Sequence, residues 1–328
     1  MTTRRAFLAG LGAACAAPLL PAALRADDGA TVLTATDVHV YNYPTVEAVR
    51  WIGETMERET GGRVRLRQYH SGQLGREAEA IDMARFGAID MTRVYAGALN
   101  NAFPLTTALC LPYAFDSVAH MRHALDAGVA QTVLDGFGTR DLVGLAVYDS
   151  GARCFYNTRH PIVSPRDLHG LKLRVASSDM FIDLVRLLGA NPTPMSLGDT
   201  FSGMETHMID GAENNPPTLL EHNHFRAAKY YTQTHHLILP EPLLMSKTTW
   251  NKLSPEQQEL VKKLAKEAQL EERELWVAKE NASNEKLKAE GVEYIEVDTK
   301  PFYDATAPVR EKYGAQFAEL IQRIEAVQ

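Results

Sequence analysis

The sequence predicts an α/β protein with two domains and one unusually long helix. Short apolar segments with the two-residue period of strands alternate along the chain with segments of helical period, as in α/β folds. The 328 residues, 45% hydrophobic and 23% charged, suffice for two domains of ordinary size. A capping signal at Ser254-Pro255 begins a helical stretch that runs unbroken to Glu290.

Hydrophobic periodicity locates the individual elements. The predicted strands, each with side chains that alternate between two faces, cover residues 31–36, 63–68, 88–95, 143–147 and 171–175. The predicted helices, each with an apolar stripe of helical period, cover residues 44–60, 76–86 and 181–188. This alternation of strand and helix predicts mostly parallel sheets.

The segment from Ser254 to Glu290 predicts the longest helix. At 1.5 Å per residue it would extend about 54 Å, long for a helix within one globular domain. A coiled-coil dimer seam is the alternative, but the leucines of this segment keep no heptad. The sequence therefore favours a helix that lies across two lobes.

Two segments about forty positions apart combine stiff backbone with polar side chains. Residues 164–175 begin with a proline-started helical turn, which ends at Gly170, and continue as a strand. Lys172 and Arg174 lie on its outer face, and a guanidinium held there suits bidentate binding of a carboxylate. Residues 209–217 predict a turn rich in hydrogen-bonding groups. Taken singly, the segments are also consistent with a surface arginine and a polar loop.

Together with further motifs in the same order, these segments resemble the substrate-binding proteins of TRAP transporters (tripartite ATP-independent periplasmic transporters), DctP type. The resemblance covers nearly all of the chain after its N-terminal segment. The other motifs that carry it are residues 72–77 (GQLGRE), 87–91 (GAIDM), 103–104 (FP), 111–113 (LPY), Asn157 and 159–161 (RHP).

The resemblance implies a periplasmic-binding-protein architecture: two α/β lobes, a long helix spanning both, and a cleft that closes on ligand. We expect discontinuous lobes, residues 27–150 with 240–275 and residues 151–239 with 276–328. The resemblance further implies a small and a large integral membrane protein as partners, and neither cofactor nor catalytic residues.

The N-terminal residues predict an export signal rather than part of the fold. Residues 3–8 contain the twin-arginine pattern, an apolar run extends to Leu24, and cleavage is expected after Ala26. A permanent membrane anchor is the alternative, but the run is short, rich in glycine and alanine, and interrupted by prolines. A twin-arginine signal peptide over residues 1–26 predicts a periplasmic protein.

The charge balance argues against nucleic-acid binding. The chain has a net charge of −7, and removal of residues 1–26 takes away three arginines and no acid, which leaves −10. Nucleic-acid binding needs a basic surface. An anionic ligand must therefore be held by local arginines.

The chain lacks the motifs of common enzymes. It has no G-x-S-x-G elbow, P-loop, G-x-G-x-x-G or H-E-x-x-H motif. His222, His224, His235 and His236 form a dense group, but their spacing fits no common zinc site. We therefore predict no enzyme activity, no metal and no cofactor.

Two cysteines remain after residue 26, Cys110 and Cys154. An oxidising periplasm would allow them to pair, but they lie in separate predicted segments. Two buried free thiols are favoured over a disulfide.

The resemblance assigns the ligand carboxylate to two residues. Arg174 takes the place of the family arginine that forms a salt bridge to that carboxylate. Asn214 falls on the family's ligand-contacting asparagine, whose amide donates to the same group. Charge-assisted hydrogen bonds contribute about 1.5–3 kcal/mol each, so two or three supply much of the roughly 8 kcal/mol that micromolar binding requires.

Further ligand-binding residues are predicted from their places along the chain. Arg153 follows a predicted strand end, where ligands of α/β proteins gather, with a surface arginine as the alternative. Arg93 lies on a strand directed toward the cleft, and Glu77 begins a helix, where it either accepts sugar hydroxyls or only caps that helix. The remaining candidates are His39, Tyr41, Asn215 and Glu241.

These candidates suggest a carboxylate at one end of the ligand and hydroxyls at the other. Segments 213–217, 224–225, 228–231 and 239–241 are most similar to hexuronate-binding members, so D-glucuronate, D-galacturonate or a related sugar acid is predicted. Four-carbon dicarboxylates, aldonates, sialic acid and 2-oxo acids stay open. Rival functions are a sensor module for a signalling kinase and a secreted hydrolase or lyase of acidic sugars. A monomer is favoured.

Overall fold

A computed structural model describes residues 30–327, so the predicted signal peptide lies outside the described residues. The strands are β1 (Thr31–Thr36), β2 (Val64–Tyr69), β3 (Met91–Arg93), β4 (Leu142–Tyr148), β5 (Ala152–Asn157), β6 (Lys172–Val175), β7 (Asn191–Pro194), β8 (Gly211–Asn214), β9 (Tyr230–Ile238), β10 (Glu241–Ser246) and β11 (Glu293–Ile295). The helices are α1 (Pro44–Glu59), α2 (Glu77–Arg85), α3 (Ala96–Leu99), α4 (Val118–Ala124), α5 (Ala130–Gly136), α6 (Asp179–Leu187), α7 (Thr200–Glu205), α8 (Pro216–Glu221), α9 (His224–Ala227), α10 (Lys247–Trp250), α11 (Pro255–Ala289), α12 (Lys300–Ala305), α13 (Ala307–Gly314) and α14 (Ala318–Glu325).

The strands form two sheets, one in each of two α/β lobes. The first has the order β2-β1-β3-β10-β4 and the second the order β11-β9-β5-β8-β6-β7. Each sheet is mostly parallel, as predicted, with one strand in the opposite direction: β10 runs antiparallel to β3 and β4, and β5 runs antiparallel to β8 and β9. Both strands enter their sheet directly from a strand of the other sheet, without the helical crossover that leads into a parallel strand.

The elements predicted by periodicity are present, with small shifts of their ends. The helix begun by Pro44 is α1, which buries Val49, Ile52 and Met56 in a core shared with β1 and α11. The outer face of β2 carries arginines, as the one-sided pattern predicted. Residues 165–168 form the short proline-started turn that precedes β6.

The polar turn predicted over residues 209–217 is instead the end of a strand and the start of a helix. Residues Gly211–Asn214 form β8, and Pro216 occupies the first turn of α8. Asn215 caps this helix, since its side chain accepts a hydrogen bond of 2.8 Å from the backbone nitrogen of Thr218. The two prolines therefore begin a helix, a position where their missing N–H groups cost nothing.

Helix α11 spans both lobes, as predicted. Its 35 residues extend about 52 Å. Ser254 caps it by accepting from the backbone nitrogen of Gln257, and the Gln257 side chain accepts from Ser254 in return. The N-terminal half packs on the core of the first sheet, whereas Lys279 pairs with Glu221 of α8 and Leu287 packs on the second sheet.

Besides α11 and the return of the C-terminal helices to the first lobe, the described chain crosses between the lobes at two adjacent places. Residues 149–151 join β4 to β5, and residues 239–240 join β9 to β10. The hydroxyl of Ser150 donates to the carbonyl oxygen of Leu239 at 2.5 Å and so ties the two crossings together. Gly151 adopts a φ of +60° against Trp276 of α11.

The C-terminal helix α14 packs on the helices of the first lobe. Leu320 and Ile324 lie in the same core as Leu125 and Val129. His120 of α4 and the carbonyl oxygen of Ile324 are 2.9 Å apart. The helix thus reaches back across the junction from the second lobe.

Both predicted free thiols are confirmed. Cys110 and Cys154 are buried and form no disulfide within residues 30–327. None of the helices in this range combines the length and hydrophobicity needed to span a bilayer.

Candidate functional site

A buried polar cavity lies between the two sheets. From the first lobe it is lined by the end of β3, the start of β10 and the first turn of α2; from the second it is lined by β5, β6 and the end of β8. The space within it that no atom fills is about 290 Å³, a value that includes the solvent at its open side. Several strands end at this cavity, and ligands of α/β folds bind beyond the carboxyl ends of strands.

Arg93 is completely buried among three carboxylates on the first-lobe side of the cavity. Its Nε donates to Asp37 Oδ2 at 2.9 Å, and its Nη2 forms a very short ion pair with Asp37 Oδ1. Its Nη1 lies 3.3 Å from Glu77 Oε1 and 3.2 Å from Glu241 Oε2. Burial alone would lower the pKa of Arg93, but these carboxylates outweigh it and hold that pKa well above its usual value.

Arg153 is buried and paired in the same way on the second-lobe side. Its Nε donates to Glu213 Oε2 at 2.6 Å and its Nη2 to Glu213 Oε1 at 2.8 Å, a bidentate pair. Its Nη1 donates to Asn214 Oδ1 at 2.9 Å. The Asn214 oxygen is therefore engaged, and its amide nitrogen makes no hydrogen bond within the described chain.

Arg174 differs from both, because it has no acidic partner among residues 30–327. Within that range, the only hydrogen bond of its side chain runs from Nε to the backbone carbonyl oxygen of Met195, at 2.9 Å. The side chain projects from β6 into the cavity, and the residue is only 5% exposed. Its terminal nitrogens remain available to an anion.

Three histidines form a neutral wall next to the cavity. His39 stacks on Tyr43, and its Nδ1 lies 3.4 Å from His222 Nε2. Burial, reinforced by Arg93 and His222, lowers the pKa of His39 well below its usual value, and burial lowers the pKa of His222 to about 4. His224, which bonds to Tyr156, has its pKa lowered by burial as well. At neutral pH these rings offer hydrogen bonds rather than charge.

The two glutamates that line the first-lobe side, Glu77 and Glu241, both have raised pKa values. Burial raises the pKa of Glu241 to about 7; Arg93 opposes this rise, and the nearby Glu77 and Asp37 add to it. Burial also raises the pKa of Glu77, which accepts from the backbone nitrogen of Tyr95 at 3.1 Å. A buried carboxyl with a raised pKa can serve as donor or acceptor toward a ligand hydroxyl.

The structure brings most of the predicted site residues together. The members of that set that line the cavity are His39, Glu77, Arg93, Arg153, Arg174, Asn214 and Glu241. Tyr41 is not among them, because it lies in an exposed turn, 51% exposed and against His70. Asn215 does not line the cavity either. Its side-chain oxygen caps α8, and its side-chain nitrogen donates to the carbonyl oxygen of Ser150.

Sequence reasoning missed three residues that shape the cavity. Asp37 directly follows β1 and Glu213 lies on β8, and each is the partner of a buried arginine. Tyr95, in the wall, lies 5.5 Å from the Arg153 guanidinium. Only Asp37 had a usable signal, since it follows the first parallel strand at its carboxyl end.

Comparison with known proteins decides the family. Residues 36–316 match the family model for bacterial extracellular solute-binding protein, family 7 (DctP). The chain belongs to this family. As a DctP-family member with close TRAP structural neighbours, it is a TRAP solute-binding protein.

Two solved structures show how near these neighbours are. A TRAP periplasmic solute-binding protein of Pseudomonas putida F1, with bound D-glucuronate, is 51% identical with a TM-score of 0.89, over 90% of this chain and 97% of that one. A counterpart of Xanthobacter autotrophicus Py2, with bound β-D-galacturonate, is 40% identical with a TM-score of 0.88, over 90% and 100% of the two chains.

A curated relative agrees with them. The solute-binding protein of Chromohalobacter salexigens is 33% identical over 293 residues, which are 89% of this chain and 87% of the relative. All three proteins are described as solute-binding proteins. This favours binding over the rival functions of kinase sensor and of hydrolase or lyase.

Proposed function

We propose that this TRAP solute-binding protein captures a hexuronate, D-glucuronate or D-galacturonate, in the periplasm. The observation that carries the proposal is the buried guanidinium of Arg174, which lines the polar cavity and has no acidic partner among residues 30–327. A buried charge without a partner is costly, so a bound carboxylate would relieve that cost. The hexuronates bound in the related structures are ligands of this chemistry.

The ligand carboxylate would bind on the second-lobe side. Arg174 provides the charge, and the amide nitrogen of Asn214 provides a second donor. The sugar hydroxyls would then face Glu77, Glu241 and His39 across the cavity. A site that satisfies polar groups at both ends favours a sugar acid over an acid with an apolar chain.

Capture would proceed by closure of the two lobes. We place residues 27–150 with 240–275 in one lobe and residues 151–239 with 276–328 in the other, with α14 as the part that packs back across the junction. The crossings at residues 149–151 and 239–240, together with α11, would act as the hinge. Closure removes water from the Arg174–carboxylate pair and thereby strengthens it.

The loaded protein would deliver its ligand to the small and large integral membrane proteins of a TRAP transporter. The twin-arginine signal over residues 1–26 would direct export to the periplasm. Family membership supports both points, because the family consists of extracellular solute-binding proteins. No cofactor takes part in this proposal.

The test is a thermal-shift screen, followed by calorimetry, of the dialysed chain from residue 27 onward. The panel contains hexuronates, aldonates, four-carbon dicarboxylates, sialic acid and 2-oxo acids. We expect a hexuronate at 100 times its Kd to stabilise the protein by about 2.7 kcal/mol, because it binds only the folded state. A shift with a dicarboxylate and none with any hexuronate would refute the assignment.

A further inference from the structure

The charges around the cavity leave room for one ligand carboxylate. Two of its three arginines are already matched: Arg153 by Glu213, and Arg93 by a surplus of acids, Asp37, Glu77 and Glu241. Within the described residues, Arg174 alone among these arginines is unmatched. A ligand with one negative charge therefore completes the pairing, and a second negative charge would find no cation.

The surplus of acid comes from the first lobe, whereas Arg174 enters the cavity from β6 of the second lobe. Glu241 is 2% exposed and lines the cavity, and its Oε2 is buried without a hydrogen-bond partner although Arg93 Nη1 is 3.2 Å away. Glu77 lines the cavity from the same lobe and already accepts from Tyr95. An oxygen with no partner at such a site points to a ligand group that completes its hydrogen bonding.

We infer that the carboxylates clustered on Arg93 act as a charge filter, which accepts a sugar acid with one carboxylate and rejects the corresponding diacid. Glu241 and Glu77 are its specificity-determining residues. They would pair with hydroxyls at the end of the sugar that lies opposite its carboxylate. The inference rests on the proposed function, because it presumes that Arg174 binds the carboxylate of a hexuronate.

The physical basis is the imbalance of attraction and repulsion in a buried site. A hydroxyl can donate to a carboxylate, whereas a second ligand carboxylate can only face it as a like charge. Like charges held close at an interface are strongly unfavourable, and burial weakens the screening that water would supply. The Arg93 cation cannot compensate a second ligand carboxylate, because it is already paired with Asp37, Glu77 and Glu241.

The test compares D-glucuronate with D-glucarate, which carries a second carboxylate at carbon 1 and therefore has no pyranose ring; L-gulonate, an open chain with a CH2OH group at carbon 1, controls for that change of shape. We expect the wild-type protein to bind D-glucarate with a Kd at least ~100-fold higher than its Kd for D-glucuronate, as measured by calorimetry. Glu241→Gln and Glu77→Gln keep the side-chain shape and remove a charge. Each is expected to narrow the ratio of the two Kd values by about tenfold.

A matched control removes the same charge elsewhere. Glu205 is exposed at the end of α7 and does not line the cavity, so Glu205→Gln should leave the ratio unchanged. Circular dichroism and melting curves check that each variant folds. Because wild-type protein already provides one ratio, the inference can be tested even if a variant fails to fold.

A second readout is the pH dependence of the wild-type ratio. Both probes stay ionised between pH 5.5 and 8.5, whereas Glu241, whose pKa burial raises to about 7, loses its proton over this range. The ratio of the D-glucarate Kd to the D-glucuronate Kd should therefore increase as pH rises through about 7. In Glu241→Gln this ratio should not change with pH. The charged or titratable groups that act on Glu241 from the packed elements are Asp37, Tyr43, Glu77, Arg93, Arg153 and Glu272.

The outcomes separate the two proposals. Binding of neither hexuronate would overturn the proposed function, and the filter with it. Tight binding of D-glucuronate together with an equally tight Kd for D-glucarate would overturn the filter alone. A wild-type ratio that is large but unchanged in both cavity variants would also overturn it, because another feature would then exclude the diacid.

Discussion

At the scale of single residues, three arginines face one cavity and differ in what surrounds them. Arg93 and Arg153 bind carboxylates of the protein, whereas the Arg174 side chain bonds, within residues 30–327, only to the Met195 carbonyl oxygen. The first two therefore stabilise the walls of the site, and the third is left for the ligand. The same side chain thus has two roles that depend on its partners.

Replacing Arg174 should affect binding far more than folding. We expect Arg174→Ala to weaken hexuronate binding by at least about tenfold, since a charge-assisted hydrogen bond is worth about 1.5–3 kcal/mol. Its melting temperature should stay near that of the wild type, because no acidic partner is orphaned. Calorimetry and thermal melting measure the two effects.

Two further variants serve as controls for Arg174→Ala. Arg186→Ala removes an exposed arginine on α6, paired only with Asp183, and should change neither property. Arg93→Ala should destabilise the free protein by about 3–5 kcal/mol, because it leaves buried carboxylates without their cation. If Arg174→Ala binds hexuronate as tightly as the wild type, the carboxylate is held elsewhere.

At the scale of elements, the crossing from β4 to β5 is the most constrained junction between the lobes. Gly151 has a φ of +60°, and a Cβ there would lie 2.8 Å from Trp276 Nε1 and 2.8 Å from Glu280 Oε1. A side chain would both strain the backbone and push on α11. The glycine allows the crossing strand to pass close under the long helix.

A pair of glycine variants separates these two effects. Gly170 has a φ of +80° with nothing near its missing Cβ, so Gly170→Ala should show only the backbone cost, about 1 kcal/mol. Gly151→Ala should cost distinctly more, because the contacts with Trp276 and Glu280 add to that penalty. Urea unfolding curves give both values. Equal costs would mean that α11 yields easily at this point.

Local patterns predicted most elements because strands and helices are set by residues that are near in sequence. The strand ending at Thr36 and the helix begun by Pro44 follow directly from alternation and from a proline at the first turn. The segment over residues 209–217 was misjudged because asparagine and proline favour turns and helix starts alike. The hydrogen bond by which Asn215 caps α8 decides for a helix start at this point.

At the scale of the molecule, the two lobes already meet around the cavity. Arg76 Nη2 of the first lobe lies 3.4 Å from Asp199 Oδ2 of the second at the exposed mouth, and the Tyr43 and Thr218 hydroxyls are 3.0 Å apart inside. An exposed ion pair contributes little, at most about 1 kcal/mol. This ion pair alone therefore does not hold the lobes together.

Ligand should shift the free protein toward this closed arrangement. We expect the radius of gyration, measured by small-angle X-ray scattering, to fall when saturating hexuronate is added. Arg174→Ala at the same ligand concentration serves as the control and should keep the larger value. No change in the wild type, despite binding shown by calorimetry, would mean that the lobes do not move. The same samples test the prediction of a monomer through their forward scattering.

The sequence by itself indicated most element types, the family and most of the side chains around the cavity. These follow from periodicity, from turn chemistry and from motifs, all of which are local. Only the tertiary structure decided which arginine is free for a ligand. The partners of Arg93 and Arg153 come from 56 and 60 residues away in the chain, and no local pattern encodes such pairs. The burial that raises the pKa of Glu241 likewise comes from packing between segments that are distant in the chain.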